Sequence, residues 1–179
     1  MLSLVLAGLL SAGCSPVGGP LVGAPEMFRE HVSSDQCLGR AVVLASGVKV
    51  SCTAGEAVAV ELTYLGRWTS LNLLRHGDFY GARGLPGTLI VVDHRTVSAD
   101  RLLVVRLGPP DTKVVELAHP DGGSYVQFHY QLLRMDADSA TVAEDQWAGT
   151  EPARTRTLRI SLTTPFGGVT ASPWVTKEP

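Results

Sequence analysis

The chain is expected to be all-β: an antiparallel β-sandwich, immunoglobulin-like or another Greek-key type, of about seven to nine strands. Three observations lead there. Residues 56–65 alternate with a period of two, Val58, Val60, Leu62 and Tyr64 on one face and Ala57, Ala59, Glu61 and Thr63 on the other. Short runs of Val, Leu, Ile and Thr recur along the chain and are broken by Gly, Pro and Asp, the residues of turns. Long helical periodicity is almost missing. The cysteine–tryptophan–cysteine spacing of immunoglobulin domains is also missing, because Cys37 and Cys52 stand too close, so the expectation is an architecture and not that family.

Taken in order, residues 26–33 allow a short helix with Met27, Phe28 and Val32 on one side. Residues 41–45 and 48–52 flank Ser46-Gly47 as a hairpin in which Val43 faces Val50 and Ala41 faces Cys52. Residues 56–65 and 68–74 follow as strands, and residues 76–87, with four glycines, read as a long loop. The apolar runs at 88–93 and 102–107 are compact strands. Residues 113–119 and 124–135 flank Pro120-Asp121-Gly122-Gly123, a strong turn sequence, and a hairpin there sets Leu117 against Val126 and Val115 against Phe128. Residues 144–153 read as a polar loop around Trp147, residues 155–163 as a last strand, and residues 165–179 as an irregular tail.

The N-terminus carries the clearest signal of location. Residues 1–10 are almost wholly apolar, too short to span a bilayer as a helix, and run into Leu10-Ser11-Ala12-Gly13-Cys14. This stretch resembles the lipobox of bacterial lipoproteins. The resemblance implies removal of residues 1–13 and lipidation of Cys14 with palmitate-type chains, which would anchor the protein to the cell envelope. Ser15 stands where many lipoproteins kept at the inner membrane have Asp, which favours the outer membrane in a host that has one. Residues 14–36 are then a Gly/Pro-rich tether plus the short helix, residues 37–164 the sandwich, and residues 165–179 the tail. With Cys14 given to lipid, an even pair remains in an exported chain, so Cys37 and Cys52 read as a disulfide, with free thiols or metal ligands as the alternative. In the hairpin register above, Cys37 lies too far along the strand, so a reversal near Gly39 must bring it back to Cys52.

The 179 residues carry a net charge of −2 and no basic block, which argues against nucleic acid as a partner. A nucleophile elbow, a P-loop, a zinc-protease helix and a calcium loop are all missing as motifs. No catalytic residue is named, and no cofactor is required. Five histidines offer the one metal lead, copper or zinc held by His76, His94, His119 and His129, while His31 precedes the core. Phe79, Tyr80 and Trp147 are candidate anchors for a partner, on the expectation that they lie in loops. The function expected is that of a non-catalytic, envelope-anchored binding or scaffolding subunit whose partner is another envelope protein. A copper or zinc carrier or redox enzyme is the alternative.

Overall fold

The strand Thr88–Asp93 is buried along almost its whole length, and so is Arg101–Arg106, against which it pairs. An antiparallel strand with one wet face would alternate; a continuous apolar run needs cover on both sides. That requirement organises the molecule. In the computed structural model, which describes residues 26–53, 58–73, 76–94, 100–108, 111–117, 126–148 and 154–176, a central sheet is packed between two others.

In chain order the first strands are β1 (Met27–Ser33), β2 (Val42–Val43), β3 (Lys49–Thr53), β4 (Val58–Tyr64) and β5 (Arg67–Leu73), with one helical turn at Ser34–Cys37. Next come β6 (His76–Ala82), β7 (Thr88–Asp93), β8 (Arg101–Arg106) and β9 (Lys113–Leu117). The chain ends with β10 (Val126–Met135), β11 (Ser139–Ala148), β12 (Arg154–Ser161), β13 (Val169–Ala171) and β14 (Val175–Thr176). The central sheet has the order β1-β6-β7-β8-β9, one outer sheet β2-β3-β4-β5, and the other β10-β11-β12-β13 with β14 also on β12. Every strand pair among the described residues is antiparallel.

Alternation along the central strands divides the core in two. Phe79, Leu89, Val91, Leu103 and Val105 meet Val48, Val50, Leu62, Leu71 and Leu73 of the β2–β5 sheet. Their neighbours Tyr80, Ile90, Val92, Leu102 and Val104 meet Phe128, Leu132, Val142, Leu158 and Ile160 of the β10–β13 sheet. A bulge at Leu133 keeps both Leu133 and Arg134 outward and lets Met135 rejoin the core, fully buried.

The all-β architecture is as expected, but the strands number fourteen and fill three sheets. Residues 27–33 are a strand and not a helix: Phe28 and Val32 pack on the first core, and β1 pairs with β6 throughout. The sandwich therefore begins before residue 37. Residues 76–82 are a strand and not a loop. Their glycines serve close packing, since a Cβ on Gly81 would lie 2.2 Å from the Phe28 ring. The hairpin of 113–119 with 124–135 is not formed. β9 pairs with β8 in the central sheet while β10 pairs with β11 in the outer one, so the two strands belong to different sheets. Both strands offered a matching apolar face, which a strand pair needs but which any two half-buried strands supply. Residues 139–148 form β11, which carries Trp147 near its end, and residues 165–179 contribute β13 and β14.

Cys37 and Cys52 are disulfide-bonded, with Cα atoms 5.1 Å apart. The reversal expected near Gly39 is present. Gly39 has φ of 73°, and Leu38 bridges to Cys52. The first hairpin is shifted by one residue, Val42 facing Val50, which leaves Val43 exposed. Residues 1–25, with Cys14 and the expected leader and tether, lie outside the described residues.

Candidate functional site

The sheet of β10–β13 covers β7 and β8 but stops at β10, so β1 is left open on that side. The sequence of β1 matches this exposure: Phe28 and Val32 turn to the first core, and Arg29 and His31 to the open side. Those two side chains stand opposite Tyr80 and Asp78 of β6 in the strand register. The result is a cleft of about 300 Å³ between the overhang of the central sheet and the edge strand β10.

A fully buried carboxylate, Asp78, sits at its floor. Arg29 donates to Asp78 Oδ2 from Nε at 2.9 Å and from Nη2 at 2.5 Å, and His31 Nδ1 is 2.9 Å from Oδ1. His94, just beyond the end of β7, places Nε2 3.1 Å from Asp78 Oδ2 and Nδ1 3.1 Å from Asp100 Oδ2. The same Asp100 oxygen holds His129 Nδ1 at 3.2 Å, and the Asp100 backbone N–H donates to the Phe128 carbonyl at 3.0 Å. One chain of polar contacts thus runs from β1 through β6 and the end of β7 to β10.

The electrostatics follow from this wiring. Burial alone would raise the Asp78 carboxyl. Hydrogen bonds from His94, His31 and Arg29, with the Arg29 charge, outweigh burial and hold it well below the usual carboxylate range. His94, hydrogen-bonded first to Asp100 and then to Asp78, is pushed up to about 9 against the opposing effect of burial, so it is an imidazolium at neutral pH. Burial, then the Asp78 charge, raises the Tyr80 phenol, whose hydroxyl reaches Asp78 Oδ2 at 3.4 Å. Behind the cleft another buried carboxylate, Glu144, accepts from Tyr130 at 3.0 Å and pairs with Arg156, whose guanidinium lies 4.2 Å from the Trp174 ring centre. Burial above all, then the Glu144 charge, raises the Tyr130 phenol.

The structure brings together only part of the set named from sequence. His94 and His129 converge on Asp100, while His76 opens β6 opposite Ser33 and His119 lies outside the described residues. Both ring nitrogens of His94 meet carboxylates in this structure, Asp100 at Nδ1 and Asp78 at Nε2. Phe79 is fully buried in the first core, whereas Tyr80, 6% exposed, lines the cleft; both belong to strand β6 and not to a loop. Trp147 remains half-exposed. Asp78, Asp100, Arg29 and His31 were missed as a site. The available signal was Asp78 two residues before Tyr80, a charge in phase with an apolar face. Among the described residues no group of three or more His, Cys, Asp or Glu side chains forms a metal-holding set.

No protein-family model, curated protein or solved structure matches the chain.

Proposed function

We propose that this protein is a non-catalytic, lipid-anchored binding subunit of the cell envelope, with the Asp78 cleft as its ligand site. The observation that carries this reading is the way the cluster spends its charges. Asp78, His94 and Asp100 are joined to one another, and His94 is already protonated, so it cannot act as a base at neutral pH. The groups turned outward are different. Among the described residues the hydrogen bonds of Arg29 run from Nε and Nη2 and that of His129 from Nδ1, which leaves Arg29 Nη1, His129 Nε2 and the Gln131 amide without a side-chain hydrogen bond. Rigid, internally paired charges carrying outward hydrogen-bonding groups are what a preorganised binding site needs.

The lipobox-like N-terminus supports export, with lipid on Cys14 as the membrane attachment and the outer membrane favoured where one exists. The disulfide is compatible with that compartment. As a scaffold the protein meets another envelope protein at an open sheet edge, and the β4–β5 hairpin is the best placed, with Leu65 77% and Trp68 65% exposed. A photo-crosslinking residue placed at position 68 in living cells should give a discrete protein adduct. Placed at position 131 it should mark an envelope component. If both positions give none, the binding reading is overturned. The alternative, a copper or zinc protein, predicts a stoichiometric metal in the purified chain, and less than a tenth of an equivalent excludes it.

A further inference from the structure

We infer that the cleft, continued across the outward face of β10 and β11 as far as Trp147, binds a saccharide. This rests on reading the cleft as a binding site and adds the class of ligand. Ligand pockets are ordinarily walled by apolar side chains with a few polar ones set among them. Here the proportion is reversed, because no aliphatic side chain lines the cleft. A lipid or fatty ligand would find nothing to replace its contacts with itself. A nucleic acid would need a basic surface, and the chain is slightly acidic.

What the cleft does offer is a mixture of donors and acceptors on planar groups. Arg29 Nη1 donates, the Gln131 amide does both, and His129 presents its second nitrogen. The charges beneath them are neutralised within the protein, so the site favours hydroxyl groups over a strong ion. A pyranose carries adjacent hydroxyls that such planar side chains can bridge in pairs, and a C–H face that rests on an aromatic ring.

The aromatic ring is in place. Phe128, Tyr130 and Leu132 point into the core, so the alternate residues His129 and Gln131 point outward, as do Asp145 and Trp147 on β11. Asp145 faces His129 across the strand pair. Trp147 is two residues further along, roughly 7 Å at the usual strand rise, and is 52% exposed. A sheet face with an exposed tryptophan one sugar-length from a polar cleft suits a chain of two or more sugar units.

The test uses the full chain in a detergent without a sugar headgroup, titrated with cellobiose, chitobiose and maltose while tryptophan fluorescence is followed. At least one probe should give a saturable change. The Trp147→Phe variant should lose that change, and Gln131→Ala should weaken binding about tenfold, the effect of about 1.4 kcal/mol. Both should keep the wild-type thermal midpoint, since neither side chain is buried. No saturable response to any of the three at millimolar concentration overturns the inference, as does a response that both variants retain. Should sugars fail while the crosslinker at position 131 still captures a protein, the saccharide is wrong and the binding site stands; failure of both removes the binding site too.

Discussion

Replacing His94 by Gln tests the wiring of the cleft. His94 is held between two buried carboxylates and titrates near 9, against 6.5 for an ordinary histidine. That difference corresponds to at most about 3 kcal/mol of stabilisation, at 1.36 kcal/mol for each tenfold change in proton affinity. The side chain is 28% exposed, so solvent screening places the true figure below that ceiling. The sign is set by linkage: the folded state holds this proton more tightly than the unfolded chain. The stabilisation is complete below pH 6.5, declines as pH rises, and is gone above about 9. Urea unfolding of the wild type should therefore show stability falling by up to about 3 kcal/mol across that window. His94→Gln keeps a polar group of similar reach but carries no proton to lose, so its stability should be nearly flat there. At pH 6.5 it should be less stable than the wild type by up to about 3 kcal/mol, because charges buried at Asp78 and Asp100 lose a partner. An equal pH slope in the variant would refute the assignment of the proton to His94.

The acid limb belongs to Asp78. Its carboxyl titrates below the ordinary range when folded, so stability is present above about pH 4 and falls as pH drops below it, and Asp78→Asn should blunt that fall in the same urea series. Cys52→Ser should cost about 3 kcal/mol through release of a loop closed over 15 residues, read as a lower urea midpoint. Gly87→Ala should destabilise by more than the roughly 1 kcal/mol of an ordinary glycine replacement, since Gly87 has φ of 71° and a Cβ there would lie 2.1 Å from the Leu107 carbonyl oxygen. A thermal midpoint for Gly87→Ala equal to the wild type would contradict the turn geometry.

The all-β class was legible because alternation along β4 and turn residues between short apolar runs depend on local sequence alone. The partnering of strands was not. β9 and β10 carry compatible faces and a fine turn sequence between them, yet each pairs elsewhere, since burial on two central-sheet faces rewards spreading strands over three layers. Runs such as Leu-Ile-Val-Val in β7 held the clue to a covered sheet but fit a two-layer sandwich equally well. The β6 strand was hidden by Gly77 and Gly81, whose role is visible only once Phe28 is laid across Gly81 and Leu73 and the Val92 carbonyl close on Gly77. Of the site, the histidines drew notice through their chemistry, and His94 with His129 did come together. Arg29 and His31 read as part of a helix. A site assembled from β1, β6, the end of β7 and β10 has members up to 100 residues apart, from Arg29 to His129. No local spacing announces it.

The measurement that bears most directly on the account of an anchored binding module is the intact mass of the protein expressed with its own N-terminus, recorded natively and then denatured. The account predicts loss of residues 1–13, a lipid-sized increment on Cys14, a two-proton deficit from the Cys37–Cys52 bond, and no copper or zinc retained in the native spectrum. An unmodified Cys14 would contradict the anchor, and a metal mass that survives native spraying would contradict the binding module and return the histidines to the centre of the function.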